Sequence, residues 1–282
     1  MDDFKTKDNL KGQSTAPKSR STKKSDSTKK SRLTEKIVIT PLANPVITGI
    51  FQSVELSGQA FRSLVNAILA DSGGVLIDEI LTVTPESDHH SGLKNRGFRI
   101  DVEGLTVNGE RIIVEIQLAV FLQMNERILL YINREFNAQT KVGDKLPDTI
   151  DSLRRVIVIT ILDYTLRENG KGFHHVGGLM YKDAPHESMT DLFEIHHLEL
   201  PSFLEIIPDF NNPLHCWMTA FCRAHKGKTS LKEVVEMDPR LKSFYQADQG
   251  FAQFVDRYNL VISDPKTLKE YLSWMDDQVV YA

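Results

Sequence analysis

No apolar run in this 282-residue chain approaches the roughly 18–20 consecutive residues that a membrane-spanning helix needs. The N-terminus has no short apolar core of the secretory kind, so a cytoplasmic or nuclear protein is expected, not a secreted one. Cysteine is nearly absent. Cys216 and Cys222 lie six apart in what reads as one helix, and six is not a same-face spacing. A disulfide is therefore not expected, and a reducing compartment fits. No Cys/His spacing suggests zinc. No internal repeat is found, and the glycine pairs Gly170–Gly172 and Gly177–Gly178 lack phosphate-loop context and read as turns.

Core-forming residues are also missing from one end. Residues 1–36 hold 11 Lys/Arg against 5 Asp/Glu and almost nothing apolar, a local net charge of +6 in a chain whose total is −4. The remainder is an acidic body of about −10. The tail reads as disordered. It serves either as a solubilising segment or as an electrostatic arm for nucleic acid or nuclear import. What is present elsewhere is ordinary for a globular protein: 41% hydrophobic residues suffice for a sizeable core.

The pattern after Lys36 alternates helix and strand. "SGQAFRSLVNAILAD" has Phe61, Leu64, Val65, Ile68 and Leu69 on one face, with Ser57 as a candidate cap. "VLIDEILTV" reads as a strand, and "FRIDVEGLTVNGERIIVEIQLA" as a two-stranded hairpin turned at Asn108-Gly109. A helix of about twenty residues follows in "FLQMNERILLYINREFNAQTK". "RRVIVITILDYT" is continuously apolar and β-branched, as a strand buried on both faces is. "HHVGGLMYKD" and "DLFEIHHLEL" suggest two more strands, and the sequence after Pro208 turns helical. The expected architecture is an α/β core on a mixed sheet.

The hairpin poses the chemical question, because acids inside strands are costly. Alternation puts Asp101 with Glu103 on one face, and Glu115 with Gln117 on one face. A two-residue Asn-Gly loop would pair Asp101 with Ile116 and separate the carboxylates. A three-residue loop, Asn108 to Glu110, would pair Asp101 with Gln117 and Glu103 with Glu115, gathering the acids; a bulge would do the same. Two carboxylates ~5 Å apart repel by roughly 3 kcal/mol at an effective dielectric of 20, so a gathered set needs a cation, an Arg or Lys, or a proton. Hard oxygen donors suit Mg²⁺ or Mn²⁺. The alternative is an exposed strand face with ordinary surface acids.

On the following helix Gln123, Arg127, Tyr131 and Arg134 form a polar stripe, with Leu122, Leu129, Ile132 and Phe136 opposite. That stripe is either a solvated face or a grip for a phosphate backbone. Adjacent histidines (89–90, 174–175, 196–197) point to opposite faces of a strand, so each pair offers one metal ligand at most. Trp217, Met218, Phe221, Trp274 and Met275 read as packing residues.

In this order and spacing, "GLKNRGFRIDV", "NGERIIVEIQ", "NERILLYINREFNAQTKVGD", "LRRVIVITILDY" and "DLFEIHHLEL" resemble the PD-(D/E)XK nuclease-family transposases, also called recombination-promoting nucleases. The resemblance runs from about Pro41 to near Leu260. It implies a restriction-endonuclease-like core over 37–210, with a helical C-terminal part over 211–282 behind the disordered tail. It implies Asp101 and Glu115 as catalytic, metal-binding carboxylates, Gln117 as the third motif residue, and Mg²⁺-dependent (or Mn²⁺-dependent) cleavage of DNA. Lys94, Arg127, Tyr131 and Arg134 are the expected substrate contacts; Lys94 or Arg127 would supply the charge that Gln117 lacks. The expected partner is DNA, with a homodimer open and no membrane. Asn44 and Thr48 stand where the family typically has Asp and Lys, and Gln59 where an acid is frequent. These departures keep a second reading open, a non-cleaving protein that binds nucleic acid or a partner.

Overall fold

The computed structural model describes residues 38–85 and 101–281, except 142, 144, 168, 169 and 228; the side chains of 277–281 are not described. The basic tail, Lys94 and the His89–His90 pair therefore lie outside the described residues.

Six strands form one mixed sheet. They are β1 (Ile80–Pro85), β2 (Val102–Thr106), β3 (Arg111–Gln117), β4 (Val156–Leu162), β5 (His174–Gly177) and β6 (Phe193–Glu199), in the spatial order β1-β2-β3-β4-β6-β5. β1, β2 and β3 pair antiparallel; β3, β4 and β6 run parallel; β5 returns antiparallel along β6. Every residue of β4 is buried, as its unbroken Val-Ile-Leu composition requires for a central strand covered on both faces. This is the α/β architecture with a mixed sheet and flanking helices that the sequence predicts.

One face of the sheet carries Ile112, Val114, Ile157, Ile159, Ile161 and Leu198, which join the larger hydrophobic core. Two N-terminal helices contribute to it, α1 (Asn44–Ile50) and α2 (Val54–Asp71). α2 starts at Val54, three residues before the expected Ser57 cap. Ser57 is instead inside the helix and donates its hydroxyl to the Ser53 carbonyl at 2.8 Å, the back-bond that a mid-helix serine makes. β1 likewise begins later than the apolar run suggests, because Val75 and Leu76 are exposed and unpaired in the sheet.

The other face carries Ile113, Val156, Val158 and Leu162, packed against Met124, Ile128, Tyr131 and Ile132 of α3 (Met124–Ala138). α3 is fifteen residues long, shorter than its periodicity suggested. The short α4 (Leu146–Ser152) and α5 (Leu200–Phe203) precede β4 and follow β6. The C-terminal part comprises α6 (Pro213–Lys226), α7 (Leu231–Met237), α8 (Pro239–Ala247), α9 (Gln249–Ser263) and α10 (Pro265–Tyr281). Its starts are set by side-chain caps from Asn212, Ser230, Asp238 and Asp248. Trp217, Met218 and Phe221 of α6 are wholly buried in the same core as α2 and the sheet, whereas Met275 is exposed and Trp274 only partly covered. Cys216 and Cys222 are buried free thiols, pushed up to about 11 and about 12 by burial. No described helix is long and apolar enough to cross a membrane.

Candidate active site

The hairpin register decides whether the acids meet. Thr106 N–H donates to the Glu110 carbonyl at 3.0 Å, closing a three-residue loop of Val107, Asn108 and Gly109. Gly109 takes the left-handed conformation (φ 83°) that such a loop needs and that a side chain would resist. Val102 then pairs with Val114 and Glu103 with Ile113. Carried one step further, this register sets Asp101 opposite Glu115. Of the alternatives left open by the sequence, the loop has three residues, but it starts one residue before the Asn108–Glu110 loop, so Asp101 faces Glu115 and not Gln117. Both readings put the acids on one face; the observed one makes them direct cross-strand neighbours.

That face is not solvent-exposed. Asp101 is 7% and Glu115 2% accessible. Asp101 Oδ2 accepts from the Ile116 N–H at 2.6 Å, and Oδ1 accepts from Asn44 Nδ2 at 2.7 Å. Glu115 Oε1 lies 2.7 Å from Arg127 Nη2, and Oε2 accepts from the Tyr131 hydroxyl at 3.3 Å. Burial and the Asp101 charge push Glu115 up to about 8, against the pull of Arg127 and Tyr131. Burial also pushes the Tyr131 phenol up, so it stays a proton donor at neutral pH. Arg127 donates from Nε to the Tyr131 oxygen and stacks over the Phe121 and Tyr131 rings.

Three residues of the polar stripe, Arg127, Tyr131 and Arg134, turn towards the sheet and not to an open face as both sequence readings had them, while Gln123 is exposed. Tyr131 is buried on the sheet, while Leu129 is 59% exposed and Leu122 more so. The reason lies across the interface: β2 and β3 carry acids on the face that α3 covers, and burying an acid requires a cation or donor opposite it. Arg134 follows the same logic without reaching the pair. It contacts Glu135 at 2.6 Å and Glu103 at 3.6 Å, and Arg111 bridges the same two acids at 3.1 and 3.6 Å. Glu135 is buried at the centre of that network. Arg134 thus has a structural occupation in this state, and Arg127 stands at the Asp101–Glu115 pair.

Gln117 shares the face of Glu115, is partly buried, and its carbonyl accepts from the Asp163 N–H at 3.0 Å. Asn44 begins α1 and spends its amide on Asp101; Thr48 donates to the Asn44 carbonyl at 2.9 Å. The role of Asn44 as a donor to Asp101 was not legible as such, because the two residues are 57 positions apart. Gln59 is exposed on α2. The histidines split between faces as alternation requires. His174 bonds Asp71 at 2.6 Å and His196 at 3.0 Å on one side, and His197 bonds Thr160 at 2.7 Å on the other.

Among the described residues no group of three or more His, Cys, Asp or Glu side chains assembles as a metal site. The donor set of Asp101 and Glu115 nevertheless fits Mg²⁺ or Mn²⁺, hard cations often held by one or two carboxylates plus water and substrate oxygens. Among the described residues the guanidinium of Arg127 stands at this pair, 2.7 Å from Glu115.

No curated protein and no solved structure matches the chain significantly. The family model described as PD-(D/E)XK nuclease family transposase matches residues 50–278. That span covers Glu115 and the sheet, the α3 partners and the C-terminal helices together, and the chain belongs to the PD-(D/E)XK nuclease family transposases.

Proposed function

We propose that the protein is a divalent-metal-dependent endonuclease that hydrolyses phosphodiester bonds in DNA. The observation that carries this reading is the buried, directly opposed pair Asp101 and Glu115 on the face covered by α3. Neither acid is there for packing, and a buried carboxyl pushed up to about 8 beside a second acid is the kind of perturbed group that clusters at functional sites. Asp101 and Glu115 would hold the cation. When bound, such an ion activates water and neutralises charge on a phosphoryl oxygen.

The chain's own groups do the rest. The Ile116 N–H and Asn44 fix the Asp101 carboxylate in place before substrate arrives. Arg127, 2.7 Å from Glu115, would offer its guanidinium to a phosphate oxygen beside that carboxylate. Tyr131 holds Arg127 and Glu115 in register from beneath. Gln117 is a neutral donor and acceptor for water or substrate at the strand end. The basic N-terminal tail, net +6 against an acidic remainder, supplies a second contact for a polyanion.

A specific observation favours a second reading. Each oxygen of Asp101 and Glu115 already accepts a hydrogen bond or ion pair from the protein. A site satisfied in this way can persist without metal, as a non-cleaving nucleic-acid-binding or protein-binding fold would need. The discriminating experiment is a supercoiled plasmid incubated with full-length protein. Nicking in Mg²⁺ and none in EDTA is expected for the enzyme. An intact plasmid in both Mg²⁺ and Mn²⁺ leaves the binding module.

A further inference from the structure

Asp101, Gln117 and Asp163 lie at one end of the sheet, where antiparallel β2 begins and parallel β3 and β4 finish. In open α/β sheets this end, outside the carboxyl termini of the parallel strands, is where ligands bind. α6 also finishes there, because its last two residues reach Asp163. His225 Nε2 lies 3.0 Å from Asp163 Oδ2, and Lys226 Nζ lies 2.7 Å from both carboxylate oxygens.

The cluster is tied to the catalytic pair by a chain of contacts in both directions. Asp163 N–H holds the carbonyl of Gln117, two residues beyond Glu115. His225 Nδ1 lies 2.9 Å from the Thr40 hydroxyl, which also accepts from the Leu42 N–H in the turn that leads into α1. Asn44 at the start of α1 then reaches Asp101. Burial works against the ionised Asp163, but hydrogen bonds from His225 and Lys226 hold its carboxyl below the usual range.

A site for an anionic substrate built on two acids needs positive charge that the substrate can reach. Arg127 and Arg134 lie against Glu115, Glu103 and Glu135 under α3. Lys226 is also paired, its ammonium 2.7 Å from both Asp163 oxygens, but its side chain is 46% exposed, against 18% for Arg127 and 22% for Arg134, at the same end of the sheet as Asp101. We propose that Lys226 is a substrate-binding residue of this site, contacting a backbone phosphate beside the one at Asp101 and Glu115, with His225 and Asp163 as its positioning residues. This rests on the nuclease reading above. The same lysine, as a basic residue in the last turn of α6, would otherwise only complement the helix C-terminus.

Full-length wild type, Lys226→Gln and Lys226→Arg should be compared for binding of a fluorescent DNA duplex over a salt series, and for plasmid nicking kinetics in Mg²⁺. Lys226→Gln should weaken binding about tenfold and lower the slope of log affinity against log salt by about one ion, as loss of one phosphate contact does. It should raise KM with kcat close to wild type. Lys226→Arg should retain affinity, slope and thermal midpoint, and Lys226→Gln should lower the midpoint only slightly, since Asp163 keeps His225 and the lost pair is partly exposed. Wild-type affinity, slope and KM in Lys226→Gln would overturn the assignment and reduce Lys226 to a helix-end charge, leaving the nuclease reading intact. A wild type that neither binds nor nicks DNA would overturn that reading, and this one with it.

Discussion

Glu115→Gln should abolish Mg²⁺-dependent nicking and, in the same preparation, make the metal-free protein more stable at alkaline pH. Both effects come from one carboxylate. Loss of a metal-holding oxygen should lower kcat by about a thousandfold or more, equivalent to about 4 kcal/mol of transition-state stabilisation. Stability moves the other way because burial and Asp101 hold Glu115 at about 8, well above its unfolded value. A folded pKa raised above the unfolded one means that the native state binds the extra proton. Its stabilisation is complete below the unfolded pKa and is lost as pH rises through the folded value. Between roughly pH 5 and 8 the metal-free wild type should therefore lose on the order of a few kcal/mol relative to Glu115→Gln, whose amide mimics the protonated acid. Asp101→Asn should also stop nicking, with a smaller gain. Its new amide faces the Asn44 amide that now donates to Asp101, and one of the two must turn over. Urea denaturation across that pH range checks the sign. Parallel curves for wild type and Glu115→Gln would show that neither burial nor Asp101 holds Glu115 above its unfolded value.

The second large effect concerns how close α2 sits to the sheet. Gly104 is in β2, and a Cβ there would lie 2.3 and 2.7 Å from the Phe61 ring carbons. Phe61 is wholly buried and meets Phe51 edge-on at 5.7 Å between ring centres, so it has nowhere to yield. Gly104→Ala should cost about 2–3 kcal/mol by overpacking. The thermal midpoint should fall by about 5–10 °C in a domain of this size. Gly104→Ala combined with Phe61→Leu should recover part of the loss, since the clash and the ring are one interaction. A neutral Gly104→Ala, read by thermal melting, would mean that α2 stands off the sheet.

How much of this was legible follows from which signals are local. The apolar run of β4, the Asn-Gly turn and the paired strands at His174–His175 and His196–His197 declare themselves within ten residues, and each is present. That Asp101 and Glu115 share a face was legible only as one of two alternatives, and their direct pairing matches neither register drawn from the sequence. The choice rests on whether Val107 or Asn108 opens the loop, a matter of one backbone hydrogen bond at Thr106. The face of α3 was misjudged on Leu129 because period alone ranks leucine above Arg127 and Tyr131 as an inward residue. The acids of β2 and β3 reverse that order, and their placement is a tertiary fact. Asn44 and Lys226 carry no local signature at all. They reach the site from 57 residues before Asp101 and 63 residues after Asp163. The boundaries of α7, α8 and α9 are marked by Ser230, Asp238 and Asp248. Each cap is a single polar residue between helices, easily read as surface.

The most direct test of the Asp101–Glu115 pair as a cation site is calorimetric titration of the metal-free, full-length protein with Mg²⁺ from about pH 6 to 9, in buffers of different ionisation enthalpy. Binding should tighten as pH rises towards about 8 and release close to one proton below it, because the cation takes the place of the proton that burial keeps on Glu115. Glu115→Gln should show no such heat. Mg²⁺ and Mn²⁺ binding that is absent at every pH, or present without proton release and unchanged in Glu115→Gln, would contradict it.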